Sequence, residues 1–216
     1  MNTVFFDFDG TLIDTWPGIE KTLRGSFQAL ALPVRDEEIT TELVGVPLLK
    51  VFERLLGADS EMAEAAVQKY RDLFPETGIS GSRPFEGAVG MLEELKRRKT
   101  DLFLVTARNE AITKQMMAEH GLNGFFTWVR GEREGEALDS KTGMMAEVLQ
   151  RYNVPPGSCV MVGDRRYDME AALANNIGAI GVTYGYGTRE ELLEAGAGQL
   201  AGSVGELRDI LFHKNR

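Results

Sequence analysis

The chain has 216 residues, 43% of them hydrophobic, and a formal net charge of −9. That length holds one large domain, or one domain with a smaller insertion. The acidic balance argues against a nucleic-acid polymer as partner, although a locally basic pocket can still take a small anion.

Thr3 to Phe8 is β-branched and aromatic with no polar alternation before Asp7, which predicts a strand buried on both faces. The run is short and broken at Asp7, so it is not expected to be a signal peptide. No apolar run is long enough to cross a bilayer. From about Trp16 to Gly78 the periodicity is helical, with apolar stripes in "PGIEKTLRGSFQAL", "PLLKVFERLL" and "SEMAEAAVQKYRDLF". Further strands are expected at 101–106, 125–130, 158–164 and 179–184, alternating with helices at 87–98, 109–120, 141–152 and 166–176. The fold class expected is therefore α/β, a Rossmann-like parallel sheet with helices on both faces. About 90 residues separate the first two strands, where a crossover needs little more than a dozen. This predicts a helical insertion, residues 15–83, within a core of residues 1–14 and 84–216. Its joints are expected near Asp14–Trp16 and in "SGSRPFEG" at 80–87, placed to act as a lid hinge. The lone Cys159 excludes an intramolecular disulfide, suits a reducing cytoplasm and reads as a buried strand residue. His120 reads as a favourable cation at a helix end, and His213 as surface or tail.

Asp7 and Asp9 are the first chemical signal. Residues i and i+2 of a strand face the same side, about 7 Å apart. Two close carboxylates in a partly buried place do not both stay ionised without a proton or a shared cation. A calcium loop fails on spacing, because Leu12 and Gly18 stand where Gly and Glu are required. A second pair, Asp164 and Asp168, follows the strand at 158–164. Asp168 alone is also readable as a first-turn acid complementing the helix dipole. Ligands bind beyond the carboxyl ends of parallel strands, so the two pairs meet if their strands are neighbours. Carboxylates without imidazole or thiolate favour Mg²⁺ over zinc.

At this point the sequence resembles the phosphatases of the haloacid dehalogenase superfamily along essentially its whole length. "DFDGT", Thr106 in "VTAR", Lys141 and "GDRRYD" resemble the four family motifs in order. The helical insertion, "VGVP" at 44–47 and "GVTYGYGTREEL" at 181–192 resemble the phosphoglycolate phosphatase-like branch and its nucleotidase-like relatives. The resemblance implies an HAD-like core with a cap domain and an Mg²⁺-dependent phosphomonoester hydrolase for a small phosphorylated metabolite. Asp7 would be the nucleophile and Asp9 the acid and base. Thr106 and Lys141 would bind the phosphoryl oxygens, assisted by backbone N–H groups near Phe8, Asp9 and Ala107. Asp7, the Asp9 carbonyl, Asp164 and Asp168 would hold the metal.

The sequence departs from its relatives in Ala107-Arg108, where Asn-Lys is common, and in Thr142, where Pro is common. Arg108 thus competes with Lys141 as the phosphate cation, and Lys141 is also readable as a solvated first-turn residue. Pro47, Lys50 and Arg54 are candidates to face the substrate, the latter two equally readable as the polar side of a helix. Competing functions are a 5'-nucleotidase-like phosphatase, a sugar phosphomutase, a haloacid dehalogenase and a non-enzymatic binding module. A dehalogenase needs neither Asp9 nor a metal. The substrate and the oligomeric state are left open.

Overall fold

The computed structural model describes residues 2–33, 36–57, 60–133 and 140–213, without the side chains of Ser60 and His213. His213, expected at the surface or tail, therefore has its side chain outside the described residues. The chain divides into two compact units, Met1–Ile13 with Pro84–Arg216, and Asp14–Arg83.

The first unit is built on β1 (Thr3–Phe6). The chain leaves it through β2 (Ile13–Asp14) and returns through β3 (Arg83–Pro84), which pair as a two-stranded ribbon. Then follow α4 (Ala88–Arg97), β4 (Asp101–Asn109), α5 (Glu110–Glu119), β5 (Trp128–Glu132), α6 (Lys141–Tyr152), β6 (Cys159–Gly163), α7 (Arg166–Ala174), β7 (Gly178–Val182), α8 (Arg189–Glu194), β8 (Gln199–Ala201) and α9 (Val204–His213). Among the described residues the sheet has six strands in the order β5-β4-β1-β6-β7-β8. Every pairing in it is parallel. The order reverses at β1, which lies between β4 and β6, so the carboxyl ends of three adjacent strands converge there.

Local chemistry sets the element ends. Asn109 caps α5, accepting the N–H groups of Ala111 and Ile112 at 3.0 and 3.1 Å. Ser140 caps α6 through the Gly143 N–H at 3.1 Å. Val4 to Phe6 are fully buried, and Phe5 stacks on Phe103 at 5.3 Å. Each such side chain contributes about 2 kcal/mol of burial, which anchors β1 as the middle of the core. Some boundaries differ from expectation. The strand expected at 125–130 starts only at Trp128, because Gly124 at φ +83° turns the chain and Thr127 enters the sheet late. Phe8 lies beyond β1, although the Asp7 N–H still bonds Val162 O at 2.9 Å. Helix α8, β8 and α9 lie beyond the elements expected from the sequence, and α8 and β8 are only six and three residues long.

The second unit comprises α1 (Trp16–Ala29), α2 (Leu48–Leu56) and α3 (Ser60–Gly81). Phe27, Phe52, Tyr70 and Phe74 form a chain of ring contacts at 5.4–6.2 Å. Helices α1 and α3 approach closely at Gly18, where a Cβ would stand 2.0 Å from the Gly78 carbonyl oxygen. Buried Thr22 bonds its own helix at Gly18 O and meets Thr77 Oγ1 at 2.8 Å. Helix α3 runs past Pro75 and includes Ser80 and Gly81, so the connecting stretch is shorter than the 80–87 suggested by its Gly and Ser content.

Candidate active site

All the residues that gather here belong to the sheet-bearing unit. Asp7 follows β1, Thr106 lies near the end of β4, and Asp164 follows β6. Between Val105 and Asn109 the β4–β5 register shifts, an irregularity that re-aims the side chains of Thr106 to Arg108. Lys141 opens α6, and Asp168 lies in the first turn of α7, accepting the Arg165 N–H at 3.0 Å.

Among the described residues Asp7, Asp164 and Asp168 present carboxylate oxygens within 4.8 Å of one another, and all three are buried. The Lys141 ammonium reaches Asp7 Oδ1 at 2.9 Å and Asp168 Oδ1 at 2.5 Å. That removes the reading of Lys141 as a solvated first-turn residue. Three carboxylates against one ammonium leave a negative site with only oxygen donors, which fits a hard divalent cation.

The electrostatics follow from that crowding. Burial, then Asp168, pushes the Asp7 carboxyl well above the ordinary range, with Lys141 opposing. Burial and Asp168 likewise push Asp164 up to about 7, against the pull of the Tyr186 N–H. Burial works against the Lys141 ammonium, but Asp168 and Asp7 outweigh it and hold the charge more firmly than in water.

Asp164 is also gripped by two groups not assigned to it from the sequence. The Tyr186 N–H donates to its Oδ2 at 2.8 Å and the Thr11 hydroxyl to its Oδ1 at 3.3 Å. The Tyr184 hydroxyl in turn donates to the Thr11 carbonyl at 3.0 Å. Gly10, at φ +72°, has no room for a side chain, since a Cβ would lie 2.2 Å from Asp164 Oδ2. The two glycines of "YGYG" are the signal that could have found this loop, because a backbone N–H reaches a carboxylate best where no Cβ intervenes.

Asp9 stands apart from the three buried acids. Its carboxylate faces Arg108, with Nε at 3.0 and 3.1 Å from the two oxygens and Nη2 at 2.6 Å. Thr106 is buried, and its Oγ1 accepts the Arg108 N–H at 3.2 Å. Lys50 and Arg54 meet Glu53 and Glu42 at 2.7 and 3.7 Å as exposed pairs of the helical unit, and Pro47 precedes α2. Cys159 is free and buried in β6. His120 occupies the C-cap of α5 with its Nε2 buried and unbonded. No helix among the described residues is long and apolar enough to cross a membrane.

Comparison with known proteins adds a second line of observation. The family model described as haloacid dehalogenase-like hydrolase matches residues 4–182. A 5'-nucleotidase of Pseudomonas aeruginosa is 28% identical over 96% of this chain and 94% of its own. A phosphoglycolate phosphatase of Neisseria meningitidis is 28% identical over 97% and 92%. The tyrosine-protein kinase PtkA of Mycobacterium tuberculosis is 29% identical over 96% of this chain and 72% of its own. The crystal structure of a predicted phosphatase from Clostridium acetobutylicum superposes with a TM-score of 0.87 at 33% identity, covering 98% of both chains.

Proposed function

Because this chain belongs to the haloacid dehalogenase-like hydrolases, we propose that it hydrolyses phosphomonoesters of a small metabolite with Mg²⁺, in two steps through a phosphorylated Asp7. The observation that supports this best is the meeting of Asp7 with Lys141, Asp164 and Asp168 at the carboxyl ends of β1 and β6. In the first step an Asp7 oxygen attacks phosphorus and the ester P–O bond breaks. Asp9 gives its proton to the departing alkoxide. In the second step Asp9 takes a proton from water, the water oxygen attacks phosphorus, and the bond to Asp7 breaks to release inorganic phosphate. The Lys141 ammonium and the Thr106 hydroxyl, whose oxygen already accepts the Arg108 N–H, donate to the phosphoryl oxygens.

Asp7, the Asp9 carbonyl, Asp164 and Asp168 would hold the ion, which when bound supplies positive charge between a carboxylate nucleophile and an anionic phosphate. Substrate choice is assigned to the helical unit, residues 15–83, where Val46 and Leu49 are exposed apolar side chains. The names borne by relatives make phosphoglycolate and nucleoside monophosphates the first candidates. The test is a phosphate-release panel with Mg²⁺ that covers these two, sugar phosphates, pyrophosphate and an aryl phosphate. Release that stops on chelation is expected, and no release from any member overturns the reading.

A further inference from the structure

The Asp9–Arg108 pair is the feature that the phosphatase chemistry leaves unused. The two residues are 99 positions apart, and each side chain is only 14% exposed. The guanidinium meets the carboxylate side-on, Nε and Nη2 together, with three N–H···O contacts of 2.6 to 3.1 Å. Such a fork fixes the plane of a carboxylate as well as its place, which a lysine ammonium does not do. The Arg108 backbone is tied down too, since its N–H donates to Thr106 Oγ1 within the irregular stretch of β4. One residue thereby touches both the hydroxyl proposed to bind phosphate and the acid proposed to carry protons.

We propose that Arg108 is the positioning residue of Asp9: its side-on fork fixes the place and the plane in which the Asp9 carboxyl group meets the leaving oxygen. With both Asp9 oxygens accepting its N–H groups, the carboxyl group has no freedom to turn. This proposal rests on the two-step phosphatase reading above.

The experiment compares kcat/KM, which reports the transfer to Asp7, for an alkyl phosphate and for 4-nitrophenyl phosphate. The first leaving group needs a proton and the second does not. Arg108→Ala is expected to lower the alkyl value at least about tenfold more than the aryl value, within the range general acid catalysis supplies. Arg108→Lys should leave that tenfold gap open, because an ammonium does not fix the plane of the carboxylate. In an Asp9→Asn background, Arg108→Ala should add no further gap. Equal losses on both substrates for Arg108→Ala, with Asp9→Asn still discriminating, make Arg108 a plain phosphate ligand or a structural residue and overturn the proposal. Equal losses for Asp9→Asn itself overturn the acid role of Asp9, a separate failure.

Discussion

The Lys141 ammonium lies 2.9 Å from the Asp7 carboxylate, and both side chains are almost removed from water. The pair is a balance rather than a simple attraction, because Asp168 draws on the same ammonium at 2.5 Å. Removing the cation leaves two buried acids facing each other. Lys141→Met is therefore expected to destabilise the metal-free protein by about 3 kcal/mol. That figure stands at the low end for a broken buried pair, since Asp7 readily takes up a proton. Urea unfolding with chelator, then with Mg²⁺, checks this, and a loss that Mg²⁺ does not reduce would contradict the shared-charge account.

Asp7→Asn separates chemistry from stability. Burial and three neighbouring acids already disfavour the Asp7 charge, so a neutral isostere should leave the metal-free unfolding midpoint unchanged or higher. Turnover of every phosphate should fall at least about a thousandfold, as expected when a nucleophile is lost. Undiminished turnover with an intact fold would falsify the covalent step.

Two glycines offer a matched contrast. A Cβ on Gly163 would stand 2.2 Å from Asp168 Cγ, whereas one on Gly90, in α4, meets nothing within 4 Å. Gly163→Ala should push Asp168 aside, weaken Mg²⁺ binding and lower stability by about 1–3 kcal/mol. Gly90→Ala should stabilise by about 0.5–1 kcal/mol through helix propensity alone. Calorimetric titration with Mg²⁺ and thermal melts of both variants test the pair, and an unaltered Mg²⁺ affinity in Gly163→Ala counts against the metal assignment.

The pH response has a definite sign. Asp164 titrates at about 7 in the metal-free fold, against about 3.9 in an unfolded chain. A raised carboxyl value contributes stability below pH about 4, and that contribution is lost as pH rises through about 7. A bound cation removes the loss by favouring the charged form. The difference in melting temperature between Mg²⁺-loaded and chelated protein should therefore widen from pH 6 to pH 8. A constant difference would mean that Asp164 does not take part in binding.

The α/β class was legible because buried parallel strands leave uninterrupted apolar runs such as Thr3–Phe6 and Cys159–Gly163. The meeting of Asp7 with Asp164 was conditional on strand neighbourhood, and the β1–β6 pairing supplies that condition. Arg108 was harder to weigh. Its meaning depends on a register shift in β4 that leaves no mark in composition. The grip of Tyr186 on Asp164 was equally hidden, since a backbone N–H donor has no letter of its own. Trp128 shows the converse limit. Phe125 and Phe126 read as strand because aromatics favour pleated surfaces, yet Gly124 had already turned the chain.

The bond from the Tyr184 hydroxyl to the Thr11 carbonyl spans 173 positions of sequence. It sets an order in time. A growing polypeptide emerges with Asp7, Asp9 and Thr11 well before their partners at β6 and in the loop after β7. Until Asp164 and Tyr184 have followed them out of the ribosome, Asp7 and Thr11 have no such partners to meet, and the site comes into being only after both stretches are made.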